Sequence, residues 1–358
     1  MSNNFHMDGH KLFWHLDRVS AWQDGELIAP IYVEISPVSY CNHNCVFCGI
    51  DFARSERLSL DSELLCQRIV EMGLLGVKSV MFAGEGEPLL HRDLAQMVSC
   101  AKGAGIDVSI TTNGSAANHD LWEQLLPDLS WLRFSMDAGS TQVYAKVHQV
   151  SGEIFDKTVA NIRDALSVRQ RLGLNTTIGV QYLILPENLD DLAAAISVYN
   201  ELGVDYISFK PYSEHPQMLN KSGLIYTQEM LDKVESLIDS SQPGLKTKLI
   251  YRKASAESYR TGVKAFSQCS ALPFWGYISS KGDFYTCSVY LNDERFCVGN
   301  IKDENMKDIL FGKRRRNSVT YGMTDLHVGD TCRTNCRMAR INEFLEFLNN
   351  RPDHLNFI

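Results

Sequence analysis

The chain has 358 residues, enough for one large domain and a smaller one. Its composition, with 44% apolar and 22% charged residues, is that of an ordinary globular protein, and a net charge of -8 gives no general attraction to nucleic acid or anionic membranes. The N-terminus is polar, and no apolar run approaches the roughly 20 residues of a membrane helix. We therefore expect a cytoplasmic protein without nucleic-acid or membrane partners, in which clustered cysteines bind metal rather than form disulfides.

Apolar segments alternate with helical patterns after an N-terminal cap, which we assign to residues 1–29. Strands are predicted at residues 31–36, 77–83, 106–112, 131–137, 176–185 and 206–211. Helices are predicted at residues 62–75, 93–105, 119–126, 154–172 and 189–203. The strands are nearly continuous apolar runs, as parallel strands buried on both faces are. The predicted fold class is therefore α/β, with a partial (β/α)6 TIM-like barrel over residues 30–245 and its chemistry at the carboxyl ends of the strands.

The pattern becomes irregular and rich in cysteine after residue 245, which predicts a small C-terminal α+β domain over residues 246–358. Within it, residues 274–280 and 284–287 predict a β-hairpin around Lys281-Gly282-Asp283. The basic run at residues 313–316 is predicted to form the solvated face of a helix. Cys66 and Cys100 lie in predicted amphipathic helices, and we expect both to be buried core thiols.

Cys41, Cys45 and Cys48 lie within eight residues on the loop after the first predicted strand. Such a loop can bind three corners of a [4Fe–4S] cluster and leave the fourth iron without a protein ligand, while a zinc site is the alternative. The CxxxCxxC spacing, with Phe47 before the last cysteine, resembles the signature of the radical S-adenosylmethionine (SAM) superfamily. That resemblance implies that the open iron binds SAM and that its reductive cleavage yields a 5′-deoxyadenosyl radical, which abstracts hydrogen from a substrate.

Further motifs at successive strand ends also resemble this superfamily. Gly84-Glu85-Gly86-Glu87-Pro88 follows the second strand, Thr112-Asn113-Gly114 the third, and Ser135-Met136-Asp137 the fourth. Glu85 departs from the family pattern, which has a glycine at this position. The resemblance implies that SAM is bound by Phe47, Gly84, Glu85, Gly86, Glu87, Thr112, Asn113, Ser135, Asp137 and Gln181.

A second group of cysteines lies in the C-terminal segment and comprises Cys269, Cys287, Cys332 and Cys336. Four thiolates are the full complement for a closed [4Fe–4S] cluster, with zinc again the alternative. The C-x(9–15)-G-x4-C pattern, followed by residues 298–301, resembles the SPASM/Twitch extension of radical SAM enzymes. Because the cysteines are too few for two auxiliary clusters, the segment resembles the Twitch version with one, as in 2-deoxy-scyllo-inosamine dehydrogenase-type members.

Cys297 follows the predicted hairpin and has three interpretations. It is a core residue of a short strand, a further cluster ligand, or a hydrogen-atom donor of the kind that radical SAM epimerases require. A thiol suits the third role because its S–H bond is weak. The choice bears on whether the enzyme dehydrogenates or epimerises its substrate.

The resemblance implies a radical SAM oxidoreductase or epimerase that acts on a small polar substrate such as a sugar, nucleotide sugar or aminocyclitol. A flavodoxin or ferredoxin is the expected electron donor. Lys210 and Tyr212, after the sixth strand, and Arg252, near the domain junction, are further candidates to face the substrate. The alternatives are a peptide-modifying SPASM/Twitch enzyme, which forms a thioether or epimerises a residue, and a non-catalytic iron–sulfur or zinc protein.

Overall fold

The computed structural model describes residues 10–54, 56–221, 223, 225–350 and 353–356. Its strands form one sheet in the order β10-β9-β8-β1-β2-β3-β4-β5-β6-β7. The strands are β1 Tyr32–Ile35, β2 Ser79–Phe82, β3 Asp107–Thr112, β4 Trp131–Ser135, β5 Thr177–Ile184, β6 Tyr206–Pro211, β7 Lys248–Tyr251, β8 Trp275–Ile278, β9 Asp283–Tyr285 and β10 Cys297–Asn300. The strands from β8 through β1 to β7 are parallel, whereas β9 and β10 add antiparallel pairs at one edge. The predicted α/β class with a partial barrel is confirmed.

The helices connect the parallel strands and close the C-terminal segment. They are α1 Leu16–Gln23, α2 Ser62–Leu74, α3 Leu94–Gly103, α4 His119–Leu125, α5 Thr141–His148, α6 Glu153–Arg171, α7 Leu192–Leu202, α8 Gln228–Ser241, α9 Lys253–Thr261, α10 Met306–Phe311, α11 Lys313–Thr324, α12 Val328–Thr331 and α13 Ala339–Asn349. Side-chain caps explain several starts, since Asp61 accepts from the backbone of Leu64 and Asn118 from that of Leu121. No helix in the described ranges is long and apolar enough to cross a membrane.

The sheet runs past residue 245, where the sequence predicts the end of the barrel. Strand β7 pairs in parallel with β6, and β8 pairs in parallel with β1 at the opposite side. The predicted hairpin is present, with Tyr277 opposite Tyr285 and Ile278 opposite Phe284. The C-terminal segment therefore extends the sheet at both ends of its parallel part, and it lies against the strand that leads into the first cysteine loop.

The main core fills the space between the parallel strands and their helices. Val33, Ile35, Val80, Phe82 and Ile110 are completely buried there, which explains the nearly continuous apolar character of these strands. A second apolar cluster lies beneath the C-terminal segment, where Trp22 of α1 packs against Phe274. The N-terminal cap thus packs through Trp22, whereas Trp14 and Leu16 are exposed, and residues 1–9 of the predicted cap lie outside the described residues.

Two sequence-based expectations about single residues are wrong. Cys66 and Cys100 are not buried core thiols, because both are half-buried and they form a disulfide that joins α2 to α3. Arg315, in the basic run, does not face solvent but is completely buried. Its two Nη atoms donate to the carbonyl oxygens of Ile28, Leu310 and Pro273, whereas its Nε is buried without an acceptor among the described residues.

Candidate active site and cluster ligands

The first cysteine loop, residues 41–48, follows β1 and is fixed by main-chain hydrogen bonds. Asn44 N donates to His148 O at 3.1 Å and Val46 N to Val147 O at 2.9 Å, so the loop rests on the end of α5. Arg54 donates from Nη1 to His43 O at 3.3 Å and from Nε to Glu85 O at 2.9 Å. These bonds hold the loop beside the turn that follows β2, where the second motif lies.

The three thiols of this loop lie close enough to influence one another. Burial raises the pKa of Cys41 to about 11, with smaller contributions from Glu87 and Cys48. Burial also raises the pKa of Cys45, followed by repulsion from Cys41 and Cys48. His43 N lies 3.4 Å from Cys41 Sγ, and His148 Nδ1 lies 3.1 Å from Cys45 Sγ. Three neighbouring thiols fit the donor set of a [4Fe–4S] cluster with one open iron.

Glu87 organises the turns after β2 and β3. Its Oε1 accepts from Leu89 N at 3.0 Å and from the hydroxyl of Thr112 at 2.5 Å, while Oε2 accepts from Asn113 N at 2.8 Å. The carboxyl is buried, and burial raises its pKa against the opposing effect of these donors. Glu87 therefore fixes the Thr112-Asn113-Gly114 turn that the sequence singles out.

Asn113 connects that turn to the cysteine loop. Its Nδ2 donates to Asn42 Oδ1 at 2.8 Å and lies 3.8 Å from Cys41 Sγ. Asn42 Nδ2 in turn donates to Ser115 Oγ at 2.8 Å, which closes a network between the two segments. The second and third motifs and the cluster cysteines are thus brought together at the carboxyl ends of β1, β2 and β3.

The two glycines of the second motif allow close approach of main chains. A Cβ on Gly86 would lie 2.3 Å from Tyr40 O and 2.6 Å from Val38 O, and Gly84 has a φ of +103° that favours glycine. Glu85, between them, turns its carboxylate toward the hairpin instead. Its Oε2 accepts from Ser280 N at 3.2 Å and from the Ser280 hydroxyl, so the expectation that Glu85 binds SAM is not supported for its carboxylate.

The fourth motif forms a buried turn after β4. Ser135 Oγ donates to Asp137 Oδ2 at 3.0 Å, and Leu183 N donates to Asp137 Oδ1 at 2.6 Å. Asp137 adopts a φ of +50°, which few residues other than glycine, Asn and Asp tolerate. Burial raises its pKa to about 7 despite these donors. The Asp137 side chain therefore serves first to hold β4 and β5 together.

The second cysteine group also converges. Burial and then repulsion from Cys336 and Cys269 raise the pKa of Cys287, and burial raises the pKa of Cys269 to about 11. A hydrogen bond between Cys332 and Cys336 raises the pKa of Cys332 and lowers that of Cys336. Met338 N lies 3.4 Å from Cys336 Sγ. Four converging thiols match a fully ligated [4Fe–4S] cluster.

A cavity of about 420 Å³ lies between the two cysteine groups. Phe47 and Gln181 line it on the side of the predicted SAM site, and Cys336 lines it on the side of the second group. Lys210 and Tyr212, which the sequence marks as substrate-facing candidates, lie on the same wall. A second cavity, of about 600 Å³, lies beside Cys332 and residues 262–267 and has no SAM-motif residue in its wall.

Cys297 lies outside the cavity that Phe47 and Cys336 line. It is on β10, opposite Tyr285, and does not line the cavity that contains Phe47. Burial raises its pKa, followed by the negative charge of Asp283. A core position on a short strand is the interpretation that this placement favours.

Sequence reasoning missed the arginines around the cavity. Arg133 lies on β4 between Trp131 and Ser135, and Arg333 and Arg337 flank Cys336. The alternation of Trp131, Arg133 and Ser135 with buried apolar residues along β4 is the signal that marks Arg133 as facing the barrel interior. The contribution of His148 beneath Cys45 was also missed, because the short helix that carries it was not predicted.

Comparisons with known proteins agree with this arrangement. Residues 35–199 match the Radical SAM superfamily, and residues 269–337, which include all four cysteines of the second group, match the SPASM iron–sulfur cluster-binding domain. The chain is 24% identical over 329 residues to the "Tungsten-containing aldehyde ferredoxin oxidoreductase cofactor-modifying protein" of Pyrococcus furiosus, covering 84% of this chain and 88% of that protein.

Similarity to other relatives is confined to part of the chain. A "Probable GTP 3′,8-cyclase" of Sulfurisphaera tokodaii is 27% identical over 216 residues, which is 60% of this chain and 64% of the cyclase. One of Saccharolobus islandicus is 29% identical over 192 residues, 53% of this chain and 58% of that protein. The chain thus spans less than two thirds of the length of these cyclases.

Solved structures share the fold at low sequence identity. SuiB of Streptococcus suis bound to SAM has a TM-score of 0.68 at 16% identity, covering 86% of this chain and 72% of SuiB. The enzyme anSMEcpe with bound SAM has a TM-score of 0.60 at 16% identity, covering 82% and 84% of the two chains. The chain therefore contains a Radical SAM domain over residues 35–199 and a SPASM iron–sulfur cluster-binding domain over residues 269–337, and its cofactors are SAM, a SAM-binding [4Fe–4S] cluster and an auxiliary iron–sulfur cluster.

Proposed function

We propose that this enzyme dehydrogenates a small polar substrate held in the cavity between its two clusters. The observation that carries the proposal is the shared wall of the 420 Å³ cavity, which has Phe47 and Gln181 on one side and Cys336 on the other. When bound, the cofactors supply one-electron chemistry: reductive cleavage of SAM yields the 5′-deoxyadenosyl radical, and the auxiliary cluster accepts an electron. We assign the SAM contacts to nine of the ten residues that the motifs name and leave out Glu85, whose carboxylate binds Ser280 instead.

The reaction balances without a further oxidant. With SAM and both clusters bound, a carbinol C–H of the substrate would give its hydrogen atom to the radical derived from SAM, and 5′-deoxyadenosine and methionine would be released. Loss of the hydroxyl proton to solvent and of one electron to the auxiliary cluster would then give a ketone. An electron donor such as a flavodoxin or ferredoxin supplies the electron that cleaves SAM. The role of this chain is to hold the carbinol in the cavity and to exclude water from it.

Epimerisation is less well supported than dehydrogenation. It requires a hydrogen-atom donor on the face of the substrate opposite the radical. Cys297, the candidate donor, does not line the cavity. Two-electron oxidation instead uses the second cysteine group, which does line it through Cys336.

Peptide modification is the second candidate, because solved relatives of the same fold include SuiB bound to its precursor peptide SuiA and anSMEcpe bound to peptides. The cavity volume lies within the range of about 300–1,000 Å³ that is typical of small-molecule sites. The curated relatives named as a GTP cyclase and a cofactor-modifying protein also act on non-peptide molecules by their names. These observations favour the small substrate.

Deuterium tracing tests the proposal. The anaerobically reconstituted enzyme, with SAM and dithionite, is incubated in deuterated water with panels of sugars, nucleotide sugars, aminocyclitols and peptides. We expect 5′-deoxyadenosine with a small-molecule panel, together with a product two hydrogens lighter and no solvent deuterium at carbon. Deuterium at a carbon of an isomeric product would establish epimerisation, and turnover confined to peptides would contradict the small-substrate proposal.

A further inference from the structure

The cavity wall carries a concentration of positive charge in a chain whose net charge is -8. Arg133 projects from β4, Lys210 from β6, and Arg252 follows β7 directly. Arg333 and Arg337 reach the same cavity from the SPASM domain. Both domains therefore contribute basic side chains to the wall of one cavity.

Some of these cations are neutralised within the protein. Arg337 pairs with the buried carboxylate of Glu34, and Arg340, farther along the wall, pairs with Glu343. Arg133, Lys210 and Arg333, by contrast, form no ion pair with a carboxylate in the part of the chain that the structure describes. The cavity wall thus holds three basic side chains without a carboxylate partner among the described residues.

The hydrogen-bonding capacity of these groups is also incompletely used. Arg133 Nη2 donates to Thr111 Oγ1 at 3.0 Å, but its Nε is buried without an acceptor. Arg333 donates to Ser213 O, while its Nε is likewise buried without an acceptor. A buried donor left without a partner is costly, and such atoms in a cavity wall indicate a missing acceptor.

Lys210 is repelled by the arginines that share the cavity wall with it. Burial and then the charges of Arg133, Arg252, Arg333 and Arg337 lower its pKa well below the usual range. SAM does not relieve the repulsion, because it brings one carboxylate together with an ammonium and a sulfonium. The auxiliary thiolates offset Arg333 and Arg337 beside Cys336, but Arg133 and Lys210 lie on the barrel strands.

We propose that Arg133, Lys210 and Arg333 form an anion subsite that binds a phosphate or diphosphate group of the substrate. The inference rests on the proposed function and narrows its substrate class to phosphorylated small molecules. Phosphate oxygens suit this set because two guanidinium forks and an ammonium can each donate to a different oxygen. A phosphate group held there also fixes the distance of the remaining substrate from the radical site.

Inorganic pyrophosphate is the probe for the test. Its affinity is measured by calorimetry on the reconstituted enzyme saturated with SAM, so that the SAM carboxylate already occupies its own site. We expect Arg133→Gln and Lys210→Gln each to weaken binding at least about tenfold. Lys210→Arg, which keeps the charge, restores binding. Arg171→Gln, which removes an exposed arginine paired with Glu123, leaves binding unchanged.

Iron content and uncoupled SAM cleavage are recorded for every variant, since they report folding and the radical function separately from anion binding. Equal pyrophosphate affinity in the wild type and the Gln variants, or no binding by the wild type at millimolar concentration, would overturn the subsite. Loss of pyrophosphate binding with iron retained supports it. Failure of the wild type to form 5′-deoxyadenosine would refute the proposed function alone.

Discussion

Some residues of the SAM motifs make contacts that stabilise the fold instead of facing the site, and Glu85 is the clearest case. Its position in the second motif implies contact with SAM, yet its carboxylate binds Ser280 and lies 3.4 Å from the hydroxyl of Tyr277. A family glycine is thus replaced by a residue that ties the motif to the hairpin of the C-terminal segment. Composition and spacing cannot reveal this, because the direction of a side chain depends on partners almost 200 residues away.

Glu85→Ala is therefore expected to reduce stability more than SAM binding. Ser280 N and the Tyr277 hydroxyl lose a buried acceptor, which costs about 2–3 kcal/mol of unfolding free energy. Urea denaturation measures this loss, and SAM affinity is measured by equilibrium dialysis. Glu63→Ala, at an exposed position of α2, is the matched control. Weakened SAM binding with unchanged stability would contradict the assignment.

The buried imidazole of His215 makes the stability of the folded protein depend on pH. Its Nε2 lies 3.0 Å from Ser288 O, its Nδ1 accepts from Gln217 N at 3.1 Å, and burial lowers its pKa to about 4. Below pH 6.5 the unfolded chain binds a proton that the folded protein does not, so stability falls as the pH drops from 6.5 toward 4. The loss between pH 7 and 5.5 is about 1 kcal/mol.

The variant His215→Gln isolates this contribution, because a glutamine amide can also donate to Ser288 O and does not titrate. Two further buried histidines, His43 and His148, act in the same direction but are present in both proteins. Urea denaturation of the two proteins at pH 7 and 5.5 should show the smaller decrease for the variant. Equal decreases would show that His215 does not resist protonation.

At the scale of elements, the turns that end β1, β2 and β3 act as one unit. Glu87 N donates to Tyr40 O at 2.9 Å, immediately before Cys41, and this approach is possible because Gly86 has no Cβ. Asn113 adds a bond from the third turn to Asn42. The cluster loop is thus supported by neighbouring turns rather than by its own residues alone.

Gly86→Ala should therefore disturb the cluster loop. The new Cβ would contact Tyr40 O and Val38 O at distances that real contacts do not allow, so the segment before Cys41 must move. We expect loss of the iron held by the first cysteine group, measured by iron analysis and by the absorbance of the reconstituted protein. Gly103→Ala in α3 meets nothing within 4 Å and should retain full iron. Full iron in both variants would contradict this account.

Most elements of the barrel were predictable because long apolar strands and capped helices leave local signals. The six predicted strands and five predicted helices all exist, within a few residues of their predicted ends. Three elements were missed: the short helix α5 (Thr141–His148), the helix α8 (Gln228–Ser241), and the strand β7 (Lys248–Tyr251), whose four residues give too little periodicity. The two cysteine groups could be predicted from their spacing and from the family resemblance. The disulfide of Cys66 with Cys100 and the basic side chains of the cavity could not, because they depend on tertiary contacts.

At the scale of the whole molecule, the C-terminal segment belongs to the same sheet as the barrel. Strand β8 pairs with β1, and Arg337 binds Glu34 of β1, so the auxiliary cysteines are held at a fixed position relative to the first loop. This arrangement lets one cavity contact both Phe47 of the first cysteine loop and Cys336 of the second group. Large independent movement of the SPASM domain would require breaking a continuous sheet.

Two clusters per chain predict a simple iron count. The reconstituted wild type should bind about eight irons, four for each [4Fe–4S] cluster. A variant with both Cys269→Ala and Cys287→Ala should retain about four, because the first group is intact. Iron analysis with Mössbauer spectroscopy measures both values. About four irons in the wild type would contradict the auxiliary assignment, and zinc in place of iron would refute both clusters.

The central claim is that Cys41, Cys45 and Cys48 hold the cluster that cleaves SAM. It is tested most directly by measuring 5′-deoxyadenosine formed from SAM and dithionite by the reconstituted wild type and by a Cys45→Ala variant. Cys297→Ser, which changes a free cysteine on β10 that belongs to neither group and does not line the cavity, serves as the control. The account predicts 5′-deoxyadenosine from the wild type and the control and none from Cys45→Ala, although the variant keeps its auxiliary iron. Equal formation by Cys45→Ala, or none by the wild type, would contradict it.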